Sequence, residues 1–284
     1  MRVTRIGVIG AGIMGHGIAQ IAAQGGFETV LQDIDGDQLE GAQKKIRAAL
    51  RKAVERRTIS EHDAERTLER LRWSGDIAEA AQGAQLVIEA VPERIHLKLE
   101  VLGELDRLCA ADAILATNTS SLSVTEMAAV TQRAPQVVGM HFFNPVPRMR
   151  LLEIVRGLET TEETLRTADE VGQQLGKETV VVRESPGFIT SRINAMLGNE
   201  AFRMLEEGVA SPRDIDKALK LGLNHPMGPF ELVDLVGLDT RLSTLEYLHR
   251  TLGDRFRPSP LLAQYVKAGR LGRKTGRGVY DYDS

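Results

Sequence analysis

Thr4-Arg-Ile-Gly-Val-Ile-Gly-Ala-Gly-Ile-Met-Gly15 runs from a short apolar strand pattern into a glycine-rich turn, and small residues at helical spacing, His16-Gly-Ile-Ala-Gln-Ile-Ala-Ala23, follow it. A second strand pattern, Glu28-Thr-Val-Leu-Gln32, ends in Asp33. A GxGxxG string alone is a weak signal. Set between a strand and a helix, with an acid at the end of the next strand, it specifies a dinucleotide-binding turn. Gly10 allows the tight turn, Gly12 lets backbone approach a pyrophosphate, and Gly15 lets the helix pack on the strand. The helix N-terminus offers unpaired N–H groups to the phosphates. Gly10, Gly12, Ile13, Met14 and Gly15 are therefore expected to bind cofactor, with Asp33 accepting hydrogen bonds from the adenosine ribose. A 2′-phosphate would meet like charge at Asp33, and Ile34 offers it no cation, so NAD is expected rather than NADP.

Working outward, strand and helix patterns alternate, which implies a doubly wound, mostly parallel α/β sheet of the Rossmann type. Residues 36–57 read as an amphipathic helix with Leu39, Ala42, Ile46, Ala49 and Ala53 on one face. Lys44, Lys45, Arg47, Arg51, Lys52, Arg56 and Arg57 crowd the rest, either as a solvated face or as a site for a phosphorylated ligand. Gln85–Ala90 is a strand leading to Val91-Pro-Glu-Arg94, with Lys98 a turn into the next helix. Ile114–Thr117 ends in Asn118-Thr-Ser-Ser121, where Ser120 is a site candidate because ligands bind beyond the carboxyl ends of such strands. Val137-Val-Gly-Met-His-Phe-Phe-Asn-Pro-Val-Pro147 places His141 where a strand stops, and Leu151-Leu-Glu-Ile-Val155 carries Glu153. Imidazole changes charge near neutral pH, and a carboxylate on its far nitrogen fixes the tautomer. Beside a dinucleotide site, that pair fits proton transfer coupled to hydride transfer. A helix over 162–176 and a strand over 178–182 complete this part.

The pattern changes at Ser185-Pro186-Gly187, so residues 1–184 are expected to form the NAD-binding domain and 185–284 a smaller all-helical one. Helical periodicity recurs over 188–206, 212–221, 228–236, 239–252 and 260–268, and Lys274 lies in a glycine-rich tail.

Composition excludes other classes. The 284 residues are 42% hydrophobic and carry a formal net charge of -3, which favours neither nucleic acid nor a membrane surface as partner. The apolar stretch after Arg2 and Arg5 is too broken by glycine for a signal peptide, and no run reaches the ~18 apolar residues of a span. The single cysteine, Cys109, follows Ile95, Leu99, Leu102 and Leu105 at helical spacing, as a core residue would. One cysteine suits a reducing compartment, and a cytoplasmic location is expected. The scattered histidines, with no CxxC or HExxH, give no metal site.

Six segments occur in the order typical of the L-3-hydroxyacyl-CoA dehydrogenase family. They are Gly10-Ala-Gly-Ile-Met-Gly15, Asn118-Thr-Ser-Ser-Leu122, His141-Phe-Phe-Asn-Pro-Val-Pro147, Pro186-Gly-Phe188, His225-Pro-Met-Gly-Pro-Phe-Glu-Leu232 and Gly272-Arg-Lys-Thr-Gly276. The chain resembles that family along essentially its whole length, and most of all its short, single-function bacterial members. The resemblance implies NAD-dependent, reversible oxidation of an (S)-3-hydroxyacyl-CoA to the 3-oxoacyl-CoA, with a short-chain substrate such as 3-hydroxybutyryl-CoA, in fatty acid or butanoate metabolism. It implies His141 as acid/base, Glu153 as its partner, and Ser120 contacting both substrate oxygen and nicotinamide. Asn144 would hold the nicotinamide end, also near the substrate, while Glu93, Lys98 and Lys274 would line the NAD site. Lys52 and Arg56, on the basic helix, would meet coenzyme A. The helical domain would close over the acyl chain and form a homodimer interface. One position departs: many relatives carry Asn near the substrate thioester in Pro-Gly-Phe-x-x-Asn-Arg, where this chain has Ser191, with Asn194 a turn away. Two other readings are a dehydrogenase of a non-CoA hydroxy acid and a non-catalytic NAD-binding protein.

Overall fold

A computed structural model describes residues 2–282. The chain divides into two compact units, Met1–Glu184 and Ser185–Ser284.

The first unit opens with β1 (Arg5–Ile9), α1 (Gly15–Gln24) and β2 (Glu28–Gln32). Then comes α2 (Gly36–Glu55), started by the Asp35 carboxylate accepting from the Asp37 and Gln38 amides. Its buried residues are Ala42, Ile46 and Leu50, one stripe at helical spacing, so the basic residues between them face water. Next are α3 (Glu61–Glu69), β3 (Leu71–Ser74) and α4 (Ile77–Ala81), in a region where the sequence offers no clear periodicity. A capping box between Ser60 and Asp63 starts α3, and its face is thin, with Thr67 its one buried residue. The unit continues through β4 (Leu86–Glu89), α5 (Ile95–Leu108), β5 (Ile114–Thr117) and α6 (Val124–Ala128). It ends with β6 (Val137–Phe142), β7 (Leu151–Arg156), α7 (Glu162–Gln174) and β8 (Glu178–Arg183).

All eight strands form one sheet in the order β3-β2-β1-β4-β5-β6-β7-β8. Every neighbouring pair is parallel except β6 with β7. The exception has a physical reason: a parallel partner for β6 would need a crossover of a dozen or more residues, whereas residues 143–150 suffice for a reversal. The central strands β4, β5 and β6 are buried throughout, as strands covered on both faces must be. Cys109 ends α5 as a buried thiol whose pKa burial pushes up to about 11, the environment of a packing residue rather than of an activated thiolate.

The second unit contains α8 (Thr190–Glu206), α9 (Pro212–Gly222), α10 (Pro229–Val236), α11 (Leu238–Leu252) and α12 (Pro260–Lys267). Phe202 is the hub of its core, edge-on to Phe230 and Tyr265 at centroid distances of 5.2 and 5.8 Å. Two buried acids accept from backbone amides. Asp216 accepts from the Phe230 and Glu231 amides at the start of α10 and from the Tyr280 hydroxyl. Asp234 accepts from the Val279 and Tyr280 amides and so fastens the tail. Burial raises the Asp216 carboxyl above its ordinary pKa, and these hydrogen bonds oppose the shift. Among the described residues no helix is long and apolar enough to cross a membrane.

Candidate active site

Because β1, β4, β5 and β6 run parallel, the segments leaving their carboxyl ends gather at one edge of the sheet. That edge receives the Gly10–Gly15 turn, the Glu93 loop, the Ser120 loop and His141.

In the glycine turn, Gly10 has φ +99°, a left-handed conformation open to glycine at no cost. A Cβ on Gly15 would lie 1.7 Å from the Gly10 carbonyl oxygen, so helix and turn touch through the missing side chain. A Cβ on Gly12, by contrast, would meet nothing within 4 Å, which leaves space above the turn. No side chain caps α1, and its first turn carries no acid. Open space, uncapped N–H groups and positive helix dipole together fit a pyrophosphate. Asp33 accepts from the Ala11 amide at 2.7 Å and the Asp35 amide at 3.0 Å, which holds the carboxylate beside the turn with acceptor capacity left for ribose hydroxyls. Ile34, 93% exposed, presents no charge to a 2′-phosphate. His16, in the first turn of α1, bonds the Gly12 carbonyl through Nδ1 at 2.7 Å. Burial lowers its pKa, against the effect of that hydrogen bond and with help from Lys45. We expect Gly15→Ala to abolish measurable NADH binding in a fluorescence titration and to cost about 1–3 kcal/mol in urea unfolding, as overpacking does.

The next two loops share one network. Glu93 Oε1 accepts from the Ser120 amide at 2.8 Å, the Ser120 hydroxyl at 3.1 Å and the Thr119 hydroxyl at 2.6 Å. Its other oxygen lies 3.4 Å from Lys98 Nζ. Lys98 lies beneath this network: its side chain is 0% exposed, and its ammonium bonds Glu89 at 2.8 and 3.0 Å. Glu89, equally buried, also accepts from the Thr117 hydroxyl at 2.6 Å and the Val91 amide at 2.7 Å. Lys98 thus forms the floor beneath Glu93 and Ser120. Glu89 and Thr119 were not apparent from sequence, because their roles arise only from pairing across loops.

His141 and Glu153 face each other in the antiparallel register of β6 and β7. His141 Nδ1 lies 2.6 Å from Glu153 Oε2, and both side chains are buried. An ionised carboxylate only accepts, so Nδ1 carries the proton and the basic lone pair falls on Nε2. The Phe143 ring packs on the imidazole at 4.4 Å between centroids. Asn118 Oδ1 accepts from the Phe142 amide at 2.9 Å and ties the end of β6 to the Ser120 loop. Asn144 follows, exposed, in the loop before β7.

The remaining candidates fall on α2 and in the second unit. Lys52 and Arg56 are exposed at the carboxyl end of α2. Ser191 is half-buried near the start of α8, with Asn194 a turn later. Lys274 Nζ is taken by Asp239 of the same unit, at 2.6 Å to each oxygen. Burial would raise the Asp239 carboxyl, but the Lys274 contact and backbone hydrogen bonds hold it below the ordinary range.

Comparison with known proteins bears on the whole chain. Residues 5–185 match the family described as "3-hydroxyacyl-CoA dehydrogenase, NAD binding domain", and residues 187–282 match "3-hydroxyacyl-CoA dehydrogenase, C-terminal domain". A probable 3-hydroxybutyryl-CoA dehydrogenase of Bacillus subtilis is 46% identical over 284 residues, covering 100% of this chain and 99% of the relative. A 3-hydroxybutyryl-CoA dehydrogenase of Bradyrhizobium diazoefficiens is 43% identical over 281 residues, 99% of this chain and 96% of the relative. The crystal structure of (S)-3-hydroxybutyryl-CoA dehydrogenase from Ralstonia eutropha superposes with a TM-score of 0.96 at 42% identity over 100% of both chains. The chain belongs to the 3-hydroxyacyl-CoA dehydrogenase family.

Proposed function

We propose that the protein catalyses the NAD-dependent, reversible oxidation of a short-chain (S)-3-hydroxyacyl-CoA, of the 3-hydroxybutyryl-CoA type, to the 3-oxoacyl-CoA. The observation that carries this reading is the buried His141–Glu153 pair, placed on the sheet edge that also bears the glycine turn.

His141 Nε2 accepts the proton of the C3 hydroxyl, and Glu153 stabilises the imidazolium that results. Bound NAD supplies the hydride acceptor. The Gly10–Gly15 turn and Asp33 hold its adenosine and pyrophosphate, and Asn144 the nicotinamide end. Ser120, oriented by Glu93, donates its hydroxyl to the substrate oxygen. Lys52 and Arg56 attract the phosphates of coenzyme A, Ser191 takes the acyl thioester, and Lys274 serves the cofactor. The protein works in the cytoplasm as a homodimer through its second unit, where α8 exposes Ile193, Met196 and Leu197.

The test is a substrate series from C4 to C16 acyl-CoA and free 3-hydroxybutyrate, each with NAD and NADP. Highest kcat/KM is expected with the short CoA esters and NAD. Preference for the free acid refutes the CoA reading. Replacing Asp33 by alanine should narrow the NAD-over-NADP ratio by about tenfold or more, the worth of hydrogen bonds to a charged group. An unchanged ratio would remove Asp33 from cofactor choice.

A further inference from the structure

Lys177 opens the turn into β8, directly after Gly176, whose φ of +74° lets the chain reverse. Its side chain is buried, with the residue 8% exposed, and no carboxylate among the described residues pairs with it. Desolvation lowers its pKa. A lysine that only filled space would cost less as methionine, since burying an ammonium without a counter-ion is unfavourable. The ammonium is instead committed to two carbonyls of one loop. Nζ donates to the Val146 oxygen at 2.6 Å and to the Met149 oxygen at 2.8 Å.

That loop is the one that carries Asn144. The Arg148 and Met149 amides both bond the Pro145 carbonyl, at 2.9 and 3.1 Å, so Pro145–Met149 closes as one turn. On another side the turn rests on α1: a Cβ on Gly17 would fall 2.8 Å from Val146 Cβ and 3.5 Å from Pro147 Cδ. Val146, 2% exposed, is thereby wedged against the helix that begins at the glycine turn. Lys177 holds the carbonyl of this wedge residue and that of Met149, three residues on, and Asn144 lies two residues ahead of Val146.

We propose that Lys177 is a positioning residue for cofactor binding: it clamps the Pro145–Met149 turn against α1 and so sets Asn144 where the nicotinamide end is held. The inference rests on the reading of Asn144 given above.

The test uses the full-length enzyme with NAD and 3-hydroxybutyryl-CoA. Lys177→Met should raise KM for NAD about 10- to 100-fold, the worth of a hydrogen bond from a charged group, and leave KM for the CoA ester within about twofold. Lys177→Arg, which keeps a cationic donor, should recover part of the loss. Should Lys177→Met not fold, Lys177→Gln is read in the same way. Asn144→Ala should shift KM for NAD in the same direction as Lys177→Met. A lower melting temperature or a smaller active fraction with both KM values unchanged would make Lys177 merely structural and overturn the inference. If Asn144→Ala raises KM for NAD and Lys177→Met does not, the inference fails alone. If Asn144→Ala leaves KM for NAD unchanged, the reading of Asn144 fails and the inference falls with it.

Discussion

His141→Ala is expected to lower kcat by about 10²–10⁴ while leaving NADH affinity close to wild type, the size of effect that general-base catalysis contributes. In free-energy terms this is about 2.7–5.5 kcal/mol of barrier. Alanine removes the imidazole proposed to take the hydroxyl proton as the hydride leaves, and water at that point is a far weaker base. Glu153→Gln should fall in the same range by a different route. The amide oxygen can still accept from Nδ1, so the ring keeps its place, but the charge that stabilises the imidazolium is gone. Steady-state kinetics, with a fluorescence titration of NADH as the control for cofactor binding, separates chemistry from folding. Near wild-type turnover by either variant would sink the proton-transfer mechanism.

The second large effect is on stability. Lys98→Met is expected to cost about 3–5 kcal/mol, because it leaves Glu89 as a buried charge without its cation. Glu89 would keep the Thr117 hydroxyl and the Val91 amide, which soften the loss but supply no full charge. Glu89→Leu should cost a similar amount by stranding the ammonium, apart from the weaker contact with Glu93 at 3.4 Å. The double variant Lys98→Met with Glu89→Leu should recover most of it, since a packed apolar pair is often as stable as a buried ion pair. For a unit of this size the single variants should lose roughly 6–20 °C in melting temperature. Single variants as stable as wild type, or a double variant no better than either single, would contradict this account. The double variant should fold yet turn over poorly, because Glu93 loses its anchor and Ser120 its orientation.

The sequence and the structure agree where local pattern carries the information. The glycine turn, the apolar strands β4 to β6 and the helices of the second unit all follow from periodicity and punctuation. The stretch 58–84 does not: β3 is four residues long and pairs only with β2, at the sheet edge, and α3 buries too little to show a stripe. At the candidate site, residue types and the His141–Glu153 pairing are legible in sequence, and the partnerships of the buried lysines are not. His141 and Glu153 could be picked out as a strand-end base and a nearby acid, but their direct opposition is a matter of sheet register. Lys98 reads as a cation near a ligand, whereas the fold takes its charge into a buried pair with Glu89. Lys177 carries no signal at all in sequence, because both of its acceptors are main-chain carbonyls some thirty residues upstream.

The reversal between β6 and β7 separates two properties that many enzymes entangle. The proton-handling pair is pinned by the ladder, where a slip of one residue would turn His141 to the opposite face. The proposed grip on the cofactor's reactive end falls to the loop, residues 143–150, outside the ladder. Grafting that loop from a relative, together with its lysine anchor, would therefore retune the grip on the nicotinamide end as a cassette, while the choice of NAD stays with Asp33 and the acid–base pair stays in the ladder, a modularity open to laboratory evolution.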